Sequence, residues 1–202
     1  MSRHGGILCT FVETWYGMQI LPLQHGGPRE AVDPLGGLRV TGDDAGDDAT
    51  RAANRADPPA ALRDTPFADG AWYRDRTPDL SRIEVPVLSA GNWGGAGLHL
   101  RGNVEGYLAA GSAQKWLEMH GLEHWTEYYT AYGRDLQQQF FDHFLKGADN
   151  GWDRRPPVLL RVRHVDGTFT DRTADAWPLP GTDWTELHLA VSYTHLTLPT
   201  KA

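Results

Sequence analysis

The stretch HGLEH, His120 to His124, places two imidazoles and a carboxylate within five residues. Two chemistries compete for it. Carried on a helix, H-x-x-E-H puts both histidines on one face, where they can share a zinc ion at about 2.0–2.1 Å with Glu123 beside it. At the end of a strand and in the loop that follows, the same residues bring a histidine to the mouth of a sheet, where functional side chains gather. A neutral imidazole there accepts a proton from a serine hydroxyl and returns it to a leaving group, the general-base role in a Ser-His-Asp set.

The flanking residues favour the second chemistry. Gly121 occupies the second position of the pattern and would cost about 1 kcal/mol relative to alanine inside a helix, and the preceding KWLEMH reads as a strand. A zinc site also wants a further ligand, and the next helix offers Asp135, Asp142 and His143 rather than a glutamate. His124, three residues past Gly121 and followed by Trp125, Tyr128 and Tyr129, is therefore the expected general base, with His120 as the competing candidate. No metal and no cofactor are expected.

The elements that must position this stretch are legible around it. VPVLSAG, Val85 to Gly91, is a short apolar run of the kind buried in a parallel sheet. HLRGNVEGYLAAGS has apolar residues at Leu100, Val104, Tyr107 and Leu108, a helical spacing. After KWLEMH, the run GRDLQQQFFDHFLKG sets Leu136, Phe140, Phe141, Phe144 and Leu145 on a helix that closes with Lys146 and Gly147. Strand, helix, strand, helix is the grammar of an α/β domain with a parallel sheet.

On either side the pattern changes. From Gly5 to Gln24 the chain is apolar and partly helical, ending near Pro22; residues 26 to 65 are rich in Gly, Ala, Asp and Pro and read as a long loop with short helices around Ala52 to Arg63. Beyond NGWDRRPP, the runs PVLLRVRHVDGTFTD and TELHLAV alternate, so strand follows strand. This reads as the start of a separate β-sandwich after a joint at Asp149 to Pro157. The expected divisions are 1–80, 81–150, 151–190 and 191–202.

Composition narrows the function. The 202 residues carry a formal charge of −7, which argues against a nucleic-acid surface, and no apolar run reaches the roughly 18 residues of a membrane span. One cysteine, Cys9, excludes an internal disulfide framework, and the opening MSRHGGILCTF lacks the apolar core of a signal peptide. Eight tryptophans and seven tyrosines suit broad packed faces or an aromatic-lined pocket. Trp93, Trp15 and Tyr16 are the candidates for lining one.

The run from IEVPVLSAGNWGGAGLHLRGNVEGYLAAGS through KWLEMHGLEHWTEYY to LQQQFFDHFLKGADNGWDRRPPVLLRVR resembles the CocE/NonD hydrolases, relatives of cocaine esterase and X-Pro dipeptidyl-peptidases. FFDHFLKG with NGWDRRP is its most specific part. The resemblance implies an α/β-hydrolase domain with a helical cap, followed by a jelly roll. RHGGILCTFVETWYGMQILPLQHG resembles part of the cap, and WPLPGTDWTELHL the opening of the jelly roll. It further implies a small-molecule ester or peptide substrate, cleaved through an acyl-enzyme, and no nucleic-acid or membrane partner. Oligomeric state and compartment stay open.

Two departures qualify what the family pattern can supply. Its serine stands on a G-x-S-x-G-type elbow, and none of Ser2, Ser81, Ser89, Ser112 or Ser192 has glycines at that spacing. The chain order nucleophile, acid, histidine then places the serine on sequence before Met1, and the 202 residues by themselves are expected to be inactive. Many relatives also carry an aspartate in a G-W-x-D turn, where this chain reads GNWGGAG with Gly95 at that position. Either Asn92 or Glu105 orients the histidine, or the acid comes from another region, so the acid stays unassigned. The closing VSYTHLTLPT, Val191 to Thr200, resembles the translation of a sequencing-library adaptor, so residues 191–202 are expected to be non-native. A zinc metallopeptidase using His120, Glu123 and His124, and a non-enzymatic β-rich binding module, are the alternatives.

Overall fold

A computed structural model describes residues 3–4, 7–24, 31–39, 47–94, 98–186, 188–189 and 196–197. The chain divides into two compact units, one formed by residues 1–84 and 95–111 and the other by 85–94 and 112–202.

The first unit is built from short elements: β1 (Arg3–His4), β2 (Ile7–Leu8), α1 (Phe11–Trp15), α2 (Asp48–Ala53), α3 (Pro58–Asp64), α4 (Ala71–Arg74) and, later in the chain, α5 (Leu100–Ala109). After α1 the apolar run tightens through a π turn and a 3-10 turn, Leu21–Leu23, that carries Pro22 in its first turn and ends at Gln24 in extended conformation. Local capping organises the Asp-rich stretch. Asp47 accepts from the Thr50 amide at 2.9 Å, and Asp57 accepts from the Ala60 amide at 3.0 Å ahead of Pro58 and Pro59. The Gln24 amide exchanges hydrogen bonds with the backbone of Ala56 at 2.9 and 3.0 Å, tying the two halves of the unit. The helices anticipated around Ala52 to Arg63 are thus α2 and α3.

The second unit positions the candidate site. Its strands are β3 (Val87–Asn92), β4 (Lys115–His120), β5 (Val158–Arg163) and β6 (Phe169–Ala174), joined in the order β3-β4-β5-β6. β3 and β4 are parallel, with Val87 opposite Lys115 and Asn92 opposite His120; β4 and β5 are parallel, with Leu117 opposite Val158; β5 and β6 are antiparallel. Between β4 and β5 lie α6 (His124–Tyr129) and α7 (Ala131–Lys146). The expected α/β class with a parallel sheet is what the chain adopts.

Helix α7 starts on a cap, the Thr130 hydroxyl accepting from the Gly133 amide at 3.0 Å, and stops at Gly147, whose φ of 68° lies in the left-handed region that glycine enters without strain. Its buried residues are Gly133, which lies against the Glu127 and Tyr128 backbone, and Leu136 and Phe140, packed with Trp152, Leu88, Trp116, Tyr132 and Phe144. Phe140, Phe144 and Trp152 surround the Trp116 ring with centroids 5.4–6.5 Å away. Trp116 and Leu88 are register partners, so they share one face of the sheet, and that face carries α7. Phe141 and Leu145 point away from this core and are exposed.

Residues 158–174 depart from the expected domain division. β5 hydrogen-bonds to β4 and β6 to β5, so both strands extend the α/β sheet rather than open a separate β-sandwich at residue 151. Alternation misled here because it reports a sheet with unlike faces, not which sheet the strand joins. Of TELHLAV, His188–Leu189 form a strand, β7, pairing with β8 (Leu196–Thr197), while Leu187, Ala190 and Val191 lie outside the described residues. Most of the adaptor-like tail lies outside the described residues, as does Gly95.

Candidate active site

At the carboxyl ends of β3 and β4, two polar residues stand side by side: Asn92 is 1% exposed and its register partner His120 6%. The ladder runs one step further, since the Trp93 amide donates to the His120 carbonyl at 3.1 Å. Gly121 then turns the chain. A β-carbon there would stand 2.0 Å from the Phe169 ring of β6, so any other residue would displace that ring. Leu122 and Glu123 complete the loop, and Glu123 caps α6, whose first residue is His124. A β-carbon on Gly94 would lie 3.8 Å from Asn92 Oδ1 and 3.8 Å from the Glu123 amide, so Gly94 borders both parts.

HGLEH is therefore strand end, loop and helix start, not one helix. His120 is the last residue of β4 and His124 the first of α6, so the one-turn relation that would face both rings toward a single zinc ion is not formed. The metallopeptidase reading of His120, Glu123 and His124 is corrected by this break. Its physical origin is the bend at Gly121 and Leu122, where the chain leaves β4 against the Phe169 ring. Glu123 instead accepts from the Thr126 hydroxyl at 3.1 Å. The His124 side chain lies outside the described residues.

Beneath the loop is a network that the spacing of histidines and serines does not reveal. Glu118 of β4 is buried; its carboxylate accepts from the Tyr132 hydroxyl at 2.9 Å and from Arg155 Nη2 at 2.8 Å. Arg155 Nη2 also donates to the Tyr132 oxygen at 2.9 Å. Burial pushes the Glu118 carboxyl above its ordinary pKa, opposed by the Tyr132 hydrogen bond and by Arg155. Burial, followed by the nearby Glu118 charge, pushes the Tyr132 phenol up to about 12. It therefore remains a neutral donor across the ordinary pH range.

Arg161 of β5 continues the network. It donates to buried Glu127 of α6 at 3.2 Å and to Asp171 of β6 at 3.0 Å, and its guanidinium lies 4.8 Å from the Tyr132 ring centroid. Two features were available to sequence inspection: a glutamate among the apolar residues Trp116, Leu117 and Met119 of KWLEMH, and arginines in RRPPVLLRVR. Neither says which charges meet until the β4–β5 register is known.

The other candidates fall as follows. The Trp93 indole donates to the Arg161 carbonyl at 2.7 Å, which fixes the ring against β5. Glu105 lies on α5 in the first unit, exposed and 3.7 Å from Arg101. Trp15 and Tyr16 also belong to the first unit, where Gln24 Nε2 lies 3.4 Å from the Tyr16 hydroxyl. Among the candidates for orienting the histidine, Asn92 is the one the sheet places at the strand ends.

No family model matches the chain, and no curated protein does. Solved structures do. A crystal structure of a CocE/NonD family hydrolase from Staphylococcus aureus superposes with a TM-score of 0.74 at 28% identity, covering 98% of this chain and 31% of that one. A second crystal structure of the same hydrolase gives 0.73 at 29% identity, covering 97% and 31%. The chain thus spans just under a third of the length of the hydrolase it matches. Over nearly its whole length it is a CocE/NonD-like segment, with a partial α/β-hydrolase-like fold.

Proposed function

We propose that this chain supplies the histidine of a serine hydrolase that cleaves ester or amide bonds, X-Pro peptide bonds among them. His124 is the general base, and the serine and its oxyanion-hole donors stand on sequence outside these 202 residues. The observation that carries the reading is the form of HGLEH: a strand end and loop at the carboxyl edge of a parallel sheet, in a chain that resembles a CocE/NonD family hydrolase. The described serines fit it as well. Ser81 pairs with Asp79 in a turn, Ser112 donates to the Gln114 carbonyl at 3.1 Å, and Ser89 lies within β3.

In this mechanism the serine oxygen attacks the substrate carbonyl while His124 takes its proton. The imidazolium then protonates the departing alcohol or amine, leaving an acyl-enzyme. Water, deprotonated by the same histidine, hydrolyses the acyl-enzyme and restores the serine. Asn92 is the candidate for holding the imidazole by a hydrogen bond, as an asparagine does in some cysteine proteases.

Fluorophosphonate labelling and p-nitrophenyl ester turnover test the proposal, applied both to the 202-residue chain and to the full-length reading frame that contains it. The chain alone should neither label nor turn over. The longer protein should do both, with His124→Ala lowering kcat by orders of magnitude. Labelling of the short chain that depends on His124, or full activity of the His124→Ala long form, refutes it.

A further inference from the structure

Three segments bear on the candidate site: the residue after β3, the turn after β4, and helix α6. Each meets the β5–β6 hairpin at a separate point. Trp93 donates its indole N–H to the Arg161 carbonyl at 2.7 Å. Gly121 lies against the Phe169 ring so closely that a β-carbon would overlap it, at 2.0 Å. Glu127, one helical turn after His124, is buried and ion-paired to Arg161 at 3.2 Å. Arg161 is itself held by Asp171 across the hairpin at 3.0 Å. Neither arginine nor phenylalanine lies within the histidine pentapeptide or the asparagine strand.

We infer that Arg161 is a positioning residue for the histidine-bearing turn, and that the β5–β6 hairpin is the part of the fold that sets where HGLEH and α6 stand. Helix α6 has only six residues, too few to hold its own orientation by internal hydrogen bonds. Its placement therefore depends on what anchors it. Its C-terminal end runs into the cap of α7, where the Thr130 hydroxyl donates to the Glu127 carbonyl at 2.7 Å. The Arg161–Glu127 pair fixes the helix against the sheet, through a side chain one turn from His124. Asp171 keeps the guanidinium in place for that contact, using the fork geometry that lysine lacks.

The inference rests on the assignment of His124 as general base, and the test separates the two. In the full-length hydrolase, Arg161→Met should lower kcat for a p-nitrophenyl ester by about 100-fold, the scale of a small displacement of a reacting group. KM should stay within about twofold, because substrate binding is not touched. Arg161→Lys should recover part of the loss. Glu127→Gln, a milder change should Arg161→Met not fold, should lower kcat in the same direction. Hydrogen exchange supplies a readout independent of activity: peptides over residues 119–129 should exchange about tenfold faster in either variant, with residues 136–146 unchanged. Unaltered exchange over 119–129, or equal acceleration in both regions, overturns the inference, as does normal kcat in Arg161→Met where His124→Ala is inactive. If His124→Ala is fully active while exchange over 119–129 responds to Arg161, the base assignment fails and the positioning role stands.

Discussion

Glu118 is a carboxylate in the middle of a strand whose neighbours Leu117 and Met119 are buried. It is held there by Tyr132 and Arg155, and its pKa lies above the ordinary value because burial outweighs those two partners. The consequence for stability has a definite sign. A group whose folded pKa is raised contributes stability below its unfolded pKa and loses it as pH rises through the folded value. Glu118→Gln removes that titration while keeping an acceptor for the Tyr132 hydroxyl. Urea denaturation between about pH 4 and about pH 8 should therefore show the variant gaining on the parent as pH rises. A difference that is flat, or that falls, contradicts the assignment. Glu118→Ala should behave otherwise: it strands the Arg155 guanidinium, which is three-quarters buried, and should cost about 3–5 kcal/mol at neutral pH.

Helix α7 shows how far a periodic pattern can be trusted. Leu136, Phe140, Phe141, Phe144 and Leu145 all satisfy a helical spacing, and Gly147 ends the element as the sequence indicates, whereas its first residue, Ala131 after the Thr130 cap, lies two residues before the run GRDLQQQFF suggests. A single sheet face, however, is narrower than five apolar residues. The stripe of Leu136, Phe140 and Phe144 meets Trp116 and Trp152, whereas Phe141 is 51% exposed and Leu145 77%. Phe140→Ala should cost about 3–5 kcal/mol, read as a loss of unfolding free energy. Phe141→Ala should cost clearly less, since about half of that side chain stays in water. Equal costs would mean the helix is rotated from the packing described here. β4 was legible to the residue, because KWLEMH is bounded by a polar start and by Gly121. The ion pairs above it were not, because Glu118, Glu127, Arg155 and Arg161 are far apart in sequence and meet only through strand register and the return of α7.

At the scale of the whole molecule, the sequence suggested a boundary that the sheet does not respect. A change from alternating strand and helix to consecutive strands at Asn150 reads as a new domain, yet β5 is the parallel neighbour of β4 and β6 pairs with β5. Val158 is fully buried, opposite Leu117, and Leu160 is buried opposite Met119. Removing β5 and β6 would expose this apolar row, strip the hydrogen-bonding edge of β4 and delete the Arg161 contact to α6. A chain ended after Pro157 should therefore lose cooperative thermal unfolding, which a true domain boundary would have preserved. A chain ended after Ala190 makes the opposite test. It removes Leu196–Thr197, whose pairing with His188–Leu189 is a ribbon of two residues per strand, too short to contribute stability of its own. Its Tm should match that of the 202-residue chain, as expected if Val191 to Ala202 adds nothing to the sheet. Differential scanning calorimetry on both truncations decides the matter: a cooperative transition in the shorter form would restore the boundary near residue 151 and detach the hairpin from the histidine turn.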